Sequence, residues 1–428
     1  MAQETEGSDV TDLWTGLSVN ASEFLPALLT KNLESNDLTK VEMHQTMGRI
    51  VLTTASVKKV GTILLRESPV LVWKNDDWVE FLAKFESLTD EDRYGVLDMY
   101  HPSLDTKQMQ ELLPTALDLA SRSTISTLDT AIIHKLLAIV YTNAHEYYND
   151  GETSSEVPSQ HQQHTALFLY GSKVAHSCHP NATYKISNGN LEYIAVRPIK
   201  EGEAVSISYL GLVYETPTHV RRKKLYRSRG FLCQCSRCMG LDYARQIHCP
   251  NNKTNHCSTF IICTTNDGTE PPIWTCKTCG QLDRNTNDMV SAHEREVKQA
   301  FLANYSVVSQ KLGPLHYHAL SVMKRSSGRE NTIESIRVTL SLILACECIA
   351  AGCDGVDCSI EKAAKHEPVY EKVKVVFSVS LDLIKYSKEL PPCAIQILKK
   401  YLPLIAIWLG DCHNDVKEIS QKVASAPL

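Results

Sequence analysis

Two stretches concentrate the residues able to do chemistry. Residues 174 to 182 read VAHSCHPNA, with His176, Ser177, Cys178, His179, Pro180 and Asn181 in consecutive positions. Residues 231 to 238, FLCQCSRC, place Cys233, Cys235 and Cys238 as C-x-C-x2-C. Three thiolates so close can face one ion, but a closed structural zinc site takes four ligands, so one must come from elsewhere. Cys178 is the best donor if the fold brings the two stretches together. A second set follows: Cys249, Cys257, Cys276 and Cys279, in CPNNKTNHC and CKTCG. Its C-x2-C-Gly half is that of a zinc ribbon, the C-x7-C half is less regular, and Cys263 or His256 could replace one ligand. Structural zinc of this kind contributes about 10 kcal/mol or more to folding, so these segments would hold their shape only with it.

Cysteine usage supports metal over disulfides. All fifteen cysteines lie at or beyond Cys178, and nine fall between 178 and 279. The start, MAQETEGSDV, lacks the charged and apolar regions of a signal peptide, and the longest apolar run, VTLSLILACECIAAG, is too short to span a bilayer. The chain therefore reads as intracellular, cytoplasmic or nuclear, where thiols stay reduced. With 43% hydrophobic residues and a net charge of −5 it reads as globular, with no bulk electrostatic case for a nucleic-acid or membrane partner. Its 428 residues suggest two or three cores.

The elements that must position these residues follow from pattern. Residues 40 to 73 are rich in Val, Ile, Leu and Thr and broken by Gly48 and Gly61, which predicts a set of short strands. From Asp76 to about Tyr148 the pattern is helical. In STLDTAIIHKLLAIVYTNAHEYY, Leu128, Ile132, Ile133, Leu136, Leu137 and Val140 recur at helical spacing and predict one buried stripe. The polar GETSSEVPSQHQQH reads as a surface loop, and its His161 and His164 lack a Cys or acidic partner at ligand spacing. In ATYKISNGNLEYIAV two β-rich runs flank Asn188-Gly189, the dipeptide of a two-residue type I′ hairpin. IKEGEAVSISYLG adds a turn at Glu201-Gly202 and a short strand ending near Tyr209. TPTHVRRKKLYRSRG reads as a helix opening at Thr216-Pro217. Its Arg221, Arg222, Lys223, Lys224, Arg227 and Arg229 read as a solvated face rather than a phosphate site. Beyond Asp288 the pattern is that of amphipathic helices, such as HEREVKQAFLANYSVVSQKL and VYEKVKVVFSVSLDLIKYSKEL. Of Cys346, Cys348, Cys353 and Cys358, the first two sit in an apolar helical run and read as small hydrophobes rather than ligands.

SKVAHSCHPNATYKI, then VRPIKEGEAVSISYLG, then RGFLCQCSRC, in this order and spacing, resembles the SET domain of protein-lysine methyltransferases. The similar branch is the SET and MYND (SMYD-like) one, with the motifs N-H-S-C-x-P-N, G-E-E/A followed by S-Y, and C-x-C-x2-C. The MYND finger's usual place, after ILLRESPVLVW, holds helical sequence, and no cysteine precedes 178, so a member of the branch lacking that finger is expected. The resemblance implies an α+β chain: a SET-domain β-fold of short twisted sheets with a knot-like site, a zinc-binding post-SET segment and a C-terminal α-helical domain. The divisions expected are an N-terminal helical extension (1–38), the N-terminal part of the SET domain (39–75), an inserted helical region (76–148), the C-terminal SET core (149–214), a post-SET and second zinc-binding segment (215–287) and the C-terminal helices (288–428), which would form one wall of a substrate cleft.

The function implied is methyl transfer from S-adenosylmethionine to a lysine presented by a protein or peptide, by a monomer with no membrane partner. Tyr209 would be the hydroxyl near the transferred methyl. Gly48, Arg49, Ser172, Val174, Ala175, His176 and Phe231 would bind the cofactor, and Cys178 would join Cys233, Cys235 and Cys238 on one zinc. The sequence departs from the family pattern at three points. Ile50 stands at the second glycine of the cofactor turn, where a β-branched residue would resist positive φ. Ala175 replaces the leading Asn, removing a hydrogen bond to the cofactor. Arg229 replaces an aromatic two residues before Phe231. These departures leave a second function open, a catalytically impaired SET-fold scaffold.

Overall fold

The computed structural model describes residues 29–34, 38–122, 128–147, 164–210, 215–251, 260–264, 272–300, 305–326, 342–343, 345–349, 376, 392–409 and 414–425. The predicted short strands are present: β1 (Thr39–His44), β2 (Gly48–Thr53), β3 (Ile63–Glu67) and β4 (Leu71–Lys74). Helices follow: α1 (Trp78–Glu86), α2 (Asp90–Leu97), a single turn α3 (Lys107–Gln110), α4 (Leu113–Ser121) and α5 (Thr130–Asn143). Local chemistry sets their starts. Asp77, Thr89, Thr106 and Asp129 each accept a backbone N–H three residues on, satisfying a donor the first turn leaves free.

The second half supplies β5 (His145–Tyr147), β6 (His164–Leu167), a 3₁₀ turn (Gly171–Lys173), β7 (Ala175–His176), β8 (Ala182–Ser187), β9 (Asn190–Ala195) and β10 (Ser206–Ile207). Asn188 and Gly189 have φ of 50° and 75°, the two left-handed residues a type I′ turn requires. Three small sheets result, β1-β2, β3-β9-β8 and β4-β6-β5, together with a parallel pair β7-β10. Then come α6 (Thr218–Arg229), α7 (Ser236–Met239) and a four-stranded sheet of β11 (Asp242–His248), β12 (Phe260–Thr264), β13 (Ile273–Cys276) and β14 (Gly280–Gln281). Further helices include α8 (Arg284–Ala300), α9 (Tyr305–Leu312), α10 (Tyr317–Ser326), α11 (Pro392–Leu409) and α12 (Asn414–Ser425).

The strands and the helices between β4 and β5 share one core. Leu64, Leu65 and Trp73 from β3 and β4 meet Phe81 and Phe85 of α1, Leu136 and Leu137 of α5, and Phe168 and Tyr193. The Trp73 and Phe81 rings lie 4.8 Å apart and tilted. Among the described residues no helix is long and apolar enough to cross a membrane.

Several expectations need correction. The helix predicted through Tyr148 ends at Asn143, and His145–Tyr147 is a strand, because its pairing with β6 outweighs local preference. Nor is the buried surface of α5 a single stripe: His134, Ala138 and Ile139 are buried as well, as befits a helix packed on several sides. His164 opens β6 rather than lying in a loop, while His161 falls outside the described residues. The basic run of α6 is not a solvated face. Arg221 and Arg222 are buried, with only Lys223, Lys224 and Arg227 fully exposed. Position 50 does not need positive φ: Ile50 is buried in extended β2 opposite Glu42, so the backbone-strain argument against it falls. In the predicted helix from His293 to Leu312, α8 ends at Ala300 and α9 starts at Tyr305. The stretch from Val369 to Leu390 lies outside the described residues, Val376 excepted, as do Cys353 and Cys358. Cys346 and Cys348 are buried in helix.

Candidate functional site

The 174–182 stretch is a crossing of three backbones. Thr53 of β2 donates to Glu203 O (3.0 Å) and Val205 donates to Val51 O (2.9 Å), which lays residues 203–205 along β2. On their other side, Ala175 donates to Val205 O (3.2 Å) and Ser177 to Ile207 O (2.9 Å), forming the parallel β7-β10 pair. Such a pair of two residues per strand needs a clasp, and Asn181 is that clasp. It is fully buried; its Nδ2 donates to Ala204 O (2.8 Å) and Glu203 Oε1 (3.0 Å), and its Oδ1 accepts from the Ser206 N–H (2.8 Å). Ser177 Oγ accepts the His179 N–H (3.0 Å), closing the turn at Pro180. The polar crowding is thus in part a hydrogen-bonding answer to threading one chain segment beside another.

The remaining members of the stretch face the chemistry. Tyr209 donates its backbone N–H to His176 Nδ1 (3.0 Å), so that nitrogen is the acceptor and Nε2 bears the proton. Nε2 lies 3.3 Å from Cys178 Sγ, as a donor to sulfur would. Burial pushes the imidazole down to about 4, keeping it neutral at neutral pH. The Tyr209 hydroxyl donates to Val174 O (2.5 Å), and burial pushes the phenol up to about 12, so it remains a donor. The His176 ring lies 5.1 Å from that of Tyr209 and 6.0 Å from that of Phe231. Val174, His176, Tyr209 and Phe231 are therefore brought together. Arg229 is there too, its guanidinium 5.2 Å from the Tyr209 ring centroid.

A second group of named residues converges on an acid that sequence reading missed. Asp98, the C-cap of α2, takes Arg49 Nη2 and the buried Lys173 Nζ (3.2 Å). Beside Lys173, the 3₁₀ turn carrying Ser172 is held by Glu67, whose two oxygens accept the Tyr170 and Gly171 N–H groups, each at 2.7 Å. A Cβ on Gly171 would stand 2.8 Å from Leu191 Cδ2 and 3.2 Å from Glu67 Oε2, so a larger residue there would force the Leu191 side chain to shift. Gly48, at φ 71°, opens β2 with nothing within 4 Å of where a Cβ would stand. Asp98 lies in helical sequence without a motif. Glu67 had one faint signal, a lone acid ending an apolar strand.

The cysteines form two clusters. The Sγ atoms of Cys178, Cys233, Cys235 and Cys238 lie within 4.8 Å of one another, with Cys178 and Cys238 3.6 Å apart. Cys249, Cys276 and Cys279 form the second, with Cys249 and Cys279 3.9 Å apart. Four sulfurs each about 2.3 Å from one tetrahedral ion stand about 3.8 Å apart, so both spacings fit a metal. Cys257 and His256 lie outside the described residues. Cys263 is not in the second cluster; it sits in β12 beside Arg245 Nη1 (3.5 Å). The buried arginines of α6 serve the first cluster: Arg221 Nη2 is 3.4 Å from Cys238 Sγ, and Arg222 Nε donates to Cys233 O (3.0 Å). Were a divalent ion held there by four thiolates, a guanidinium at this distance would offset their negative charge.

Comparison with known proteins agrees with this geometry. The SET-domain family profile matches residues 48–210. SET domain-containing protein L678 of Acanthamoeba polyphaga mimivirus is 25% identical over 195 residues, 42% of this chain and 70% of that protein. Histone-lysine N-methyltransferase SET5 of Meyerozyma guilliermondii is 36% identical over 88 residues, 20% of this chain and 17% of that protein. Human N-lysine methyltransferase SMYD2 is 37% identical over 78 residues, 18% of each. The chain thus spans less than a fifth of the last two. It also resembles the solved structure of Rubisco LSMT bound to sinefungin and monomethyllysine, at 10% identity and a TM-score of 0.34, over 96% of this chain and 94% of that one. The backbone crossing at residues 174–209 lies inside the span that matches a SET domain, residues 48–210, and the similar proteins include SET- and SMYD-type methyltransferases.

Proposed function

We propose that the chain is an S-adenosylmethionine-dependent protein-lysine N-methyltransferase of the SMYD-like branch, without a MYND finger. The observation that carries this reading is the meeting of Tyr209, His176, Val174 and Phe231 where β7 crosses β10. The residues present suit the cofactor. Arg49 and Lys173 both meet Asp98, two cations that would face an amino-acid carboxylate, and Gly48 leaves space beside Arg49. When bound, S-adenosylmethionine supplies a methyl on an activated sulfonium. The residues of this chain align the lysine amine with it and exclude water. Tyr209, protonated and fixed by its bond to Val174 O, holds a hydroxyl dipole at that point, and neutral His176 sets the position of the Tyr209 backbone.

Zinc at the Cys178, Cys233, Cys235 and Cys238 cluster would fasten α7 to the crossing. A second zinc would be held by Cys249, Cys276 and Cys279, with Cys257 as the fourth ligand. Residues 39–75 and 149–214 are assigned as the two parts of the SET core around an inserted helical region. Ala175, and the resting of Arg229 on Tyr209, favour a second reading, an impaired SET scaffold.

Calorimetry with S-adenosylmethionine and a radiolabel assay on lysate proteins separate the two. Tyr209→Phe should leave cofactor binding within about twofold and lower methyl transfer by about 100-fold or more, since the hydroxyl acts mainly in the transition state. Absence of cofactor binding by the folded, zinc-loaded protein at about millimolar concentration would leave the scaffold reading.

A further inference from the structure

Arg229 is a cation placed where a lysine methyltransferase has least obvious use for one. Its guanidinium lies over the Tyr209 ring at 5.2 Å from the centroid, and its Nη1 donates to Thr142 O at the end of α5. The backbone around it is pinned. Arg229 O accepts the Tyr100 hydroxyl (2.6 Å), and Tyr100 O in turn accepts Asn143 Nδ2 (2.8 Å). Gly230, which closes α6 at φ 73°, packs so tightly that a Cβ would stand 3.2 Å from Pro102 Cβ and 3.3 Å from the Tyr100 hydroxyl. The side chain is thus held by Thr142 O and the Tyr209 ring while Tyr100 holds its backbone, and it is half-buried.

Its surroundings do not neutralise it. Among the described residues no carboxylate lies within ion-pair distance of Arg229. The titratable groups that face it are Tyr209, Tyr100, Tyr141 of α5, Tyr184 of β8, His145 of β5 and His176 of β7. Burial keeps both histidines uncharged at neutral pH. An arginine stays protonated even when burial opposes its charge, so a full positive charge stands at the face of Tyr209.

We infer that Arg229 discharges the substrate amine: a fixed, unpaired guanidinium across the Tyr209 ring disfavours the ammonium form of an entering lysine and admits the neutral nucleophile. The inference rests on the methyltransferase reading of this site. A lysine must lose its proton to solvent before its lone pair can attack, and a neighbouring cation shifts that equilibrium in the required direction. At an effective dielectric of about 20–40, a unit charge about 7 Å away lowers an amine's pKa by about one to two units. Arg229 acts through space and is a positioning residue in the electrostatic sense.

The test uses the full zinc-loaded chain and two variants, Arg229→Met and Arg229→Lys. With tritiated S-adenosylmethionine and core histones as acceptor, kcat is followed against pH at saturation. The Arg229→Met profile should rise about one pH unit higher than wild type, giving roughly tenfold less turnover near pH 7 and a gap that narrows only above about pH 10, while Arg229→Lys keeps the wild-type limb. Superimposed profiles, or a drop of equal size at every pH, would overturn the inference. The second measurement does not depend on turnover: n-butylamine, the bare side chain, is titrated by NMR. Its affinity should rise several-fold more between about pH 7.5 and about pH 9.5 for wild type than for Arg229→Met. A differing butylamine response without methyl transfer would sink the enzyme reading and keep the role of Arg229. Methyl transfer with identical pH responses would do the reverse. Neither transfer nor amine binding would remove both.

Discussion

Glu67 is the residue whose protonation matters most to the core of the site. Burial pushes its carboxyl up to about 7, against the opposing pull of the Tyr170 and Gly171 N–H groups that it accepts. The sign follows from the direction of the shift. Between about pH 4.5 and about pH 7 the folded state keeps a proton that the unfolded chain has lost, so stability falls as pH rises through that window and levels off above it. Glu67→Gln removes the titration but turns an amide toward two N–H donors, leaving one unsatisfied at a cost of about 1–3 kcal/mol. Urea melts at about pH 5 and about pH 7.5 should therefore show the wild-type advantage over Glu67→Gln shrinking as pH rises. A constant difference would mean that Glu67 is ionised throughout. Arg229 shows a similar logic at the opposite sign of charge, a group whose surroundings rather than its type decide its chemistry.

At the scale of elements, the β7-β10 pair is too short to hold itself. Two residues on each strand exchange few hydrogen bonds, and parallel pairing is slightly weaker per residue than antiparallel. Its persistence depends on Asn181 at one end and the cysteine cluster at the other. Asn181→Ala deletes the bonds to Glu203, Ala204 and Ser206 in a fully buried place, leaving the Ser206 N–H and Ala204 O without that partner. The expected loss is about 3 kcal/mol or more of unfolding free energy, measured by urea denaturation; under the proposed function S-adenosylmethionine binding would weaken in parallel, because His176 lies on the freed strand and Val174 just before it. A loss below about 1 kcal/mol would show that the cysteine cluster alone secures the crossing. The same dependence explains part of the basic helix α6: Arg221 and Arg222 are turned onto the cysteine-bearing turn, while Lys223, Lys224 and Arg227 stay exposed.

For the whole molecule, the question is how the C-terminal helices join the rest. One junction is ionic and buried. Arg245 of β11 forms a two-bond pair with Glu294 of α8 (2.8 and 2.5 Å), and His316, just before α10, places Nε2 3.1 Å from the same carboxylate. Arg245 also stacks on Trp274 of β13 at 5.3 Å. A second junction is apolar. Gly61, at φ 89°, lies so close to Ile407 of α11 that a Cβ would stand 3.0 Å from its Cδ1. Glu294→Ala would strand a buried guanidinium and should cost about 3–5 kcal/mol, read as a lower urea midpoint with a single transition. A transition that splits in two, with one part unchanged from wild type, would show the helices folding independently of the four-stranded sheet.

The amino-acid sequence by itself determined whatever rests on neighbours in the chain or on an unavoidable valence. The Asn188-Gly189 hairpin follows from positive φ, the short strands and α5 from periodicity, and Cys178 as the fourth thiol from the deficit of C-x-C-x2-C. The meeting of His176, Tyr209 and Phe231 was legible too, through motifs whose order and spacing resemble a SET domain. Tertiary structure alone decided the rest. Asp98 reaches Arg49 across 49 residues and Lys173 across 75, and nothing in the helical pattern around it marks an acid with such partners. Ile50 lost its significance once β2 proved extended, and Arg221 became a neighbour of Cys238 once α6 turned one face inward. The physical reason is common to these cases. Turn geometry and helical spacing act within about ten residues, whereas the sign and partner of a charge depend on burial, which exists only after distant segments have packed.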